Sequence, residues 1–396
     1  MAEHFRYIVI GGGMMGAAAA RHLSEHADGI ALIGQGEPPD YHTHQGVFAS
    51  HYDEARITRR FDADPLWASF AARSIERYGD IETRSGIRFY TEAGCLFAGP
   101  EPQSDADYLR RAADVAKATG LAVERLGAPK LASRFPQFAF PLHLFGYYED
   151  TDAGHINPRA LVRAQKAIAA EQGTRCIDAV VTAVREEGRQ VQVDTADGVV
   201  YQAQRVLIAT GAFSNFHNLL PRPLDFRAAP RTVVFFELDE ARLERFGTMP
   251  STIVFTEREE DHVYILPPLR YPDSKVYLKL GGDIESGSLG SLDDVRTWFR
   301  SSGDPAEARR LTETALQLMP ELSGCRTTSA PCVATFTPTA HPYAGFLPSS
   351  KVAVLTGGNF VAAKSSDELG RLGALLMREG GLGEADFGSA MTPIFQ

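Results

Sequence analysis

Apolar positions follow two different periods along this chain, and the changes of period locate its elements. Tyr7-Ile8-Val9-Ile10 is a continuous apolar run, as expected of a strand buried on both faces. It meets Gly11-Gly12-Gly13-Met14-Met15-Gly16 and then the small-residue run Ala17 to Ala20, which reads as strand, tight turn and helix. Ile30-Ala31-Leu32-Ile33 predicts a second buried strand, parallel to the first through the helical crossover. Helical periodicity returns over 64–78 (Leu66, Trp67, Phe70, Ala71, Ile75) and over 106–119, which Gly120 stops. A further helix is expected over 158–172, with Asn157 as N-cap, Pro158 in the first turn and Gly173 at the end. Strands are predicted at 180–184, 190–195, 199–201 and 205–209, with a hairpin turn at Ala196-Asp197-Gly198.

From 231 to 280 the pattern shifts to longer alternating strands, 232–238, 251–255, 262–266 and 276–281, the signature of an antiparallel sheet with one packed face. A helical stretch over 292–319, interrupted at 301–305, is followed by a buried strand at 351–356, Gly357-Gly358 and a helix over 366–379. The strand-then-glycine-turn grammar therefore appears at the start, at Gly211 and at Gly357-Gly358, with the antiparallel section between. The expected fold class is α/β, with two interleaved domains: 1–84, 152–218 and 332–396 form one, and 85–151 and 219–331 the other.

Composition narrows the function classes. The chain has 396 residues, 44% hydrophobic and 23% charged, and a formal net charge of −10, which argues against a general nucleic-acid binder. No apolar run is long enough to span a bilayer, and the first residues carry no leader-type charge and apolar pattern, so a cytoplasmic protein is expected. Cys95, Cys176, Cys325 and Cys332 are too far apart for a metal or disulfide motif, and His42 and His44 lie in a polar loop, so no metal site is expected.

The chemistry begins at the glycines. Gly11, Gly13 and Gly16 have the spacing of the dinucleotide fingerprint: one turns the chain, one lets a pyrophosphate approach, one lets the helix press on the sheet. The helix N-terminus offers N–H groups and positive dipole to phosphates. After the second strand the fingerprint normally supplies an acid for the adenosine ribose. Here Gly34-Gln35-Gly36 stands instead and Glu37 follows late, which weakens a plain NAD reading.

Four segments carry a resemblance to a known family. They are the opening fingerprint, Ser50-His51-Tyr52-Asp53-Glu54-Ala55-Arg56-Ile57-Thr58-Arg59, Tyr277-Leu278-Lys279-Leu280-Gly281, and Pro331-Cys332-Val333-Ala334-Thr335-Phe336-Thr337 with Gly357 to Lys364. Together they resemble the D-amino-acid-oxidase-like FAD-dependent oxidoreductases, nearest the branch of monomeric sarcosine oxidase and N-methyltryptophan oxidase. The resemblance spans nearly the whole chain. It implies a glutathione-reductase-type FAD-binding domain interleaved with an antiparallel-sheet substrate domain, FAD as cofactor, a carboxylate-bearing amine as substrate and molecular oxygen as acceptor. It implies that Gly11, Gly13, Met14, Met15, Gly16, Ser50, Val181, Gly211, Cys332, Gly358 and Lys364 lie at the cofactor. Cys332 falls where the branch joins FAD through a thioether. Lys279 falls where a buried cation assists oxygen reduction, and Arg59 and Lys364 where a carboxylate is gripped. Arg56 and His51 fall near the flavin, the alternative for both being structural ion pairing with Asp53 or Glu54.

Two departures bear on the substrate. The branch's Ser-Gly-His-Gly run is here Asn359-Phe360-Val361-Ala362, and its substrate-contacting tyrosine aligns with Ile265, beside Tyr264. Both make the pocket wall less polar, so an amino acid with an apolar side chain becomes a candidate. The expected function is oxidation of an amino acid or N-alkyl amino acid to an imine with formation of hydrogen peroxide, by a monomer or small homo-oligomer. The alternatives are an FAD-dependent D-amino-acid or 2-hydroxy-acid dehydrogenase with another acceptor, and a non-catalytic flavin-binding subunit of a larger complex.

Overall fold

The computed structural model describes residues 3–102, 104, 107–256, 258, 262–282, 287–348, 351–383 and 390–396. Its first sheet is organised on Glu3–Ile10, which pairs in parallel with Ile30–Ile33 on one side and Val200–Ile208 on the other. Arg175–Ile177 extends the sheet beyond Ile30–Ile33, and Val352–Thr356 continues it beside the end of Val200–Ile208. The strands expected at 199–201 and 205–209 are one strand. Its first half pairs with Gln190–Thr195 and its second half with Val352–Thr356, while Glu3–Ile10 runs along its other edge and holds it as one strand.

Close backbone packing dictates the glycines. Gly11 has φ +108°, and a Cβ on Gly16 would lie 1.9 Å from the Gly11 carbonyl oxygen, so the helix Met14–Ser24 sits directly on the turn. Ala17 to Ala20 are buried, and a Cβ on Gly370 would lie 2.4 Å from the Ala18 Cβ; small residues on both sides let this helix and Ser366–Glu379 touch. A buried charge network reinforces that contact. The Asp367 carboxylate accepts from Arg21 at 2.9 Å, Gln165 at 2.8 Å and Arg77 at 2.6 Å, drawing in the helices Pro158–Glu171 and Pro65–Ser85.

Helix ends follow their caps. Asp64 accepts from Leu66 N and Trp67 N with Pro65 behind it, and Asn157 accepts from Ala160 N. The helix expected to stop at 78 runs on to Ser85, because Ile81 is also buried and the left-handed residue comes at Gly86, φ +67°. The helix expected from 106 is Tyr108–Thr119; residue 106 itself lies outside the described residues.

The second sheet has strand order Thr327–Phe336, Arg227–Glu237, Val276–Gly282, Val263–Arg270, Ser251–Val254, Cys95–Pro100, Leu144–Glu149 and Glu124–Leu126. The alternating section is thus antiparallel as read, but it is only part of the sheet. Ser251–Val254 pairs in parallel with Cys95–Pro100, far upstream. A short third sheet of Arg56–Thr58, Gly154–Ile156 and Tyr90–Thr91 lies between the large ones in the chain's path. A domain division at residue 332 cuts the strand Thr327–Phe336. We place that boundary after Phe336. Among the described residues no helix is long and apolar enough to cross a membrane.

Candidate active site

A cleft opens at the carboxyl ends of the first sheet's parallel strands. Gly11, Gly13, Met14, Met15, Ser50, His51, Val181 and Gly211 line it, together with Gly34, Gln35 and His217. Gly16 lies beneath the floor, where its missing Cβ is a packing requirement. Gly13 faces open space: a Cβ there would meet only His51 Nδ1, at 3.8 Å. Two buried ring nitrogens, His51 Nδ1 and His217 Nε2, have no hydrogen-bond partner among the described residues. His217 lines the same cleft with a left-handed backbone, φ +57°. A backbone cradle at a helix N-terminus, with polar atoms awaiting partners, fits the diphosphate and sugar of a dinucleotide. Burial pushes the His51 pKa down to about 3, with Lys166, Arg159 and Arg56 adding to the effect, so this imidazole is neutral.

Glu37, the late acid, does not reach the cleft lining. Its carboxylate is bound by Arg159 at 2.6 and 2.8 Å and by the Tyr41 hydroxyl. Arg159 also holds Glu54 at 2.8 Å.

The remaining expected site residues, Arg56, Arg59, Lys279, Cys332, Gly358 and Lys364, gather where the second sheet meets Arg56–Thr58 and the loop before Ser366–Glu379. Lys279 lies opposite Phe235 and Leu266 in the sheet and is 1% exposed, which disposes of an outward, solvated lysine. Its ammonium donates to Asp53 at 2.6 Å and to the Ala55 carbonyl at 2.6 Å. Burial, with Arg56 next, pulls the Lys279 pKa well below the ordinary lysine value. Asp53 is the hub of this corner: it also pairs with Arg56 and accepts from the Tyr271 hydroxyl at 2.8 Å. Arg56 therefore does form the ion pair with Asp53, and it also donates to the Ser50 carbonyl at 2.9 Å and reaches Cys332 Sγ at 3.7 Å. His51 makes no ion pair with Asp53 or Glu54.

Arg59 and Lys364 converge on one carboxylate. Arg59 Nη1 lies 2.8 Å from Asp62 Oδ2, and Lys364 Nζ lies 3.0 Å from the same oxygen. Arg59 also donates to Tyr108 at 3.0 Å and to the Phe61 carbonyl, with its guanidinium over the Phe97 ring. Lys364 donates to the Trp67 carbonyl at 3.3 Å. All three charged groups are buried. Burial alone would raise the Asp62 pKa, but Lys364 and Arg59 overrule it and hold the carboxyl well below its usual range. Gly358 fixes the loop that delivers Lys364: its N–H donates to Thr335 Oγ1 at 2.9 Å, and Asn359 N donates to the Thr335 carbonyl at 2.7 Å.

The alignment of Ile265 with a substrate-facing tyrosine is corrected by the sheet's alternation. Ile265 is fully buried in the second sheet's core beside Leu278 and Leu280, whereas Tyr264 is on the Lys279 face. Its hydroxyl lies 2.4 Å from where a Gly281 Cβ would be, and Lys279 Nζ is 5.9 Å from its ring. The tyrosine, not the isoleucine, therefore shares the sheet face of Lys279. Asn359 and Phe360 both have left-handed backbones, φ +47° and +65°, a strained pair that the Asn359 side chain braces by accepting from Thr337 N at 2.9 Å and donating to Gly357 O at 2.7 Å. Phe360 packs edge-on to Tyr264 at 5.9 Å. Sequence reasoning missed Asp62 as a member of the site and left Asp53 only as a structural ion-pair partner. Both sit within the Ser50–Arg59 segment or just after it, and a buried cation's need for an anion was the available signal.

A glycine-lined cleft at the ends of a parallel sheet, tied through Ser50 to a second sheet that carries a buried lysine, fits the fold of an FAD-type oxidoreductase. The family model described as FAD dependent oxidoreductase (DAO) matches residues 6–376, and the chain belongs to that FAD-dependent family. It is 26% identical over 389 residues to a monomeric sarcosine oxidase of Bacillus sp. (strain NS-129), covering 96% of this chain and 94% of that protein. A second one, from Bacillus sp. (strain B-0618), is 28% identical over 262 residues, and that match spans 64% of this chain and only 63% of the relative. The N-methyl-L-tryptophan oxidase of Citrobacter koseri is 23% identical over 98% of this chain and 95% of its own length. Among solved structures, the open form of NikD, an unusual amino acid oxidase essential for nikkomycin biosynthesis, superposes with a TM-score of 0.80 at 19% identity, covering 100% of this chain and 98% of that one. That likeness shows the shared fold.

Proposed function

We propose that this chain oxidises the C–N bond of an amino acid or N-alkyl amino acid to an imine, with FAD as the electron acceptor and oxygen reoxidising it to give hydrogen peroxide. The observation that carries the reading is the convergence of Arg59 and Lys364 on a single carboxylate oxygen of Asp62. Two cations that grip a carboxylate of the chain have the geometry to grip one on a substrate. The relatives, named for sarcosine and N-methyl-L-tryptophan, support an amine beside that carboxylate.

Bound FAD supplies the two-electron oxidation; the residues supply placement and charge. Gly11, Gly13 and the helix N-terminus cradle the diphosphate, with Met14, Met15, Ser50, Val181 and Gly211 around it. Arg59 and Lys364 fix the substrate's carboxylate and so aim its amine at the flavin. Lys279, buried beside Arg56, presents positive charge where negative charge develops during oxygen reduction. Cys332, whose Sγ lies 3.7 Å from Arg56, is the residue for a thioether to the cofactor. Tyr264 and Phe360 form an aromatic wall suited to an apolar or aromatic substrate group. The reading extends to a cytoplasmic setting and a monomer or small homo-oligomer.

The test is anaerobic bleaching of the flavin across L-, D- and N-methyl amino acids, with peroxide measured on readmitting air. Bleaching by none of them refutes the reading. Acid-precipitated protein is expected to stay yellow, and a Cys332→Ser pellet to be colourless. The direct bond from Lys279 to Asp53, which offsets its charge, favours one second reading: a dehydrogenase that passes electrons to an acceptor other than oxygen. Bleaching without peroxide, reversed by a quinone or dye, identifies it.

A further inference from the structure

The ribose-binding acid is absent at Gly34, and Glu37 is spent on Arg159. The space between the first two strands is closed instead by a lysine from another element. Lys166, on the helix Pro158–Glu171, carries its ammonium to the glycine turn: Nζ lies 2.8 Å and Cε 3.1 Å from where a Cβ on Gly12 would be. The Gly34 Cα lies 3.8 Å from that same point, and a Cβ on Gly34 would itself fall 2.4 Å from Gly12 N. No side chain fits at Gly34, so no acid can stand there without moving the turn. Lys166 makes no hydrogen bond or ion pair among the described residues. It is partly buried, and burial lowers its pKa while Cys176 and Asp178 act to raise it. Its charge is felt at His51, which lines the cleft. A partly buried ammonium with no hydrogen-bond partner among the described residues, beside a diphosphate cradle, lacks an acceptor.

We propose that Lys166 is the residue that binds the adenosine ribose and diphosphate portion of FAD, taking over from the missing acid with a cation. The assignment rests on the FAD reading above. A carboxylate accepts from ribose hydroxyls but repels the diphosphate; an ammonium donates to ribose oxygens and attracts the diphosphate. The exchange is therefore one of chemistry as well as of position, and it explains how the fingerprint operates without its last member.

The test uses the full-length Cys332→Ser protein, in which FAD is free to exchange, stripped of flavin and titrated with FAD and separately with ADP, which carries only the adenosine diphosphate half. Lys166→Ala is expected to weaken both ligands about tenfold. Lys166→Arg is expected to stay within about threefold of the parent. Lys166→Gln, which keeps length without charge, is expected to resemble Lys166→Ala. Neutral variants that bind ADP within about twofold of the parent overturn the proposal. So do neutral variants that remain unfolded by circular dichroism even with saturating FAD, because the lysine is then structural. A parent protein that binds neither FAD nor ADP fails the FAD reading itself, whereas a parent that binds both, with unchanged neutral variants, fails only the assignment of Lys166.

Discussion

Asp62 gives the sharpest quantitative prediction. Its carboxylate sits between the two cations assigned to the substrate's carboxylate, so the cluster of Arg59, Lys364 and Asp62 carries one net positive charge before any ligand arrives. Asp62→Asn keeps the shape and removes the anion. A ligand carboxylate held by the same two nitrogens sits about 5 Å from Asp62, where like charges repel by about 3 kcal/mol at an effective dielectric of ~20. Relaxation and the hydrogen bonds an asparagine oxygen still accepts return part of that, leaving about 1.4–2 kcal/mol, or roughly a 10- to 30-fold tighter carboxylate. Propionate, which has a carboxylate but no amine, reads this term alone. Without ligand the variant buries two cations with one anion fewer and loses about 3–5 kcal/mol of stability. Propionate is then expected to raise the melting temperature more in the variant than in the parent. The assays are a propionate titration followed by the flavin spectrum and a thermal melt at each concentration. Equal or weaker propionate binding in Asp62→Asn refutes the argument, because the cations then meet their ligand somewhere other than at Asp62.

Lys279→Met is expected to slow reaction of the reduced enzyme with oxygen at least tenfold while leaving anaerobic reduction by substrate within about threefold; stopped-flow traces of the two half-reactions separate these outcomes. His155 predicts a pH dependence. Burial, with Lys279 next, lowers its pKa to about 4, so the folded protein binds fewer protons than the unfolded chain between pH 6.5 and 4. The stability this group contributes is full above pH 6.5 and is lost as pH falls towards 4, by at most ~1.4 kcal/mol per pH unit. His155→Leu is expected to flatten the melting temperature over that window; an unchanged slope in pH-dependent melts refutes it. Gly34→Ala places a Cβ 2.4 Å from Gly12 N and, made in the Cys332→Ser protein, is expected to weaken FAD binding at least tenfold, read by titrating the stripped protein with FAD.

Legibility in the sequence tracked how local each feature is. The turn Gly11 to Gly16 and the helix over 366–379 are written in adjacent residues, and the structure places them as read. Lys279, Arg59 and Lys364 were visible only through the family resemblance; their periodicity alone reads as ordinary surface. The strand Val200–Ile208 was read as two because its continuity is imposed by Glu3–Ile10, which pairs along nearly its whole length from far upstream. The pairing of Ser251–Val254 with Cys95–Pro100 joins segments whose patterns do not refer to each other. The shift from Ile265 to Tyr264 shows the cost of period two: a slip of one residue exchanges the core face for the Lys279 face. Asp53 and Asp62 read as loop acids because what makes them central, the cations around them, comes mostly from distant strands and turns.

The contact between Arg21 and Asp367 joins residues 346 apart in the chain. At ~5–20 residues per second, a ribosome reaches the second about 17–70 s after the first. Throughout that interval the helix behind the glycine turn has neither its packing surface at Gly370 nor the buried Asp367 carboxylate, and Arg21 is left with the anion of Glu25, one turn on. The cofactor cradle, although written in the opening residues, is completed among the last. During synthesis it is the part of the protein that waits longest, and a nascent chain released early leaves a flavin site with its floor unpinned.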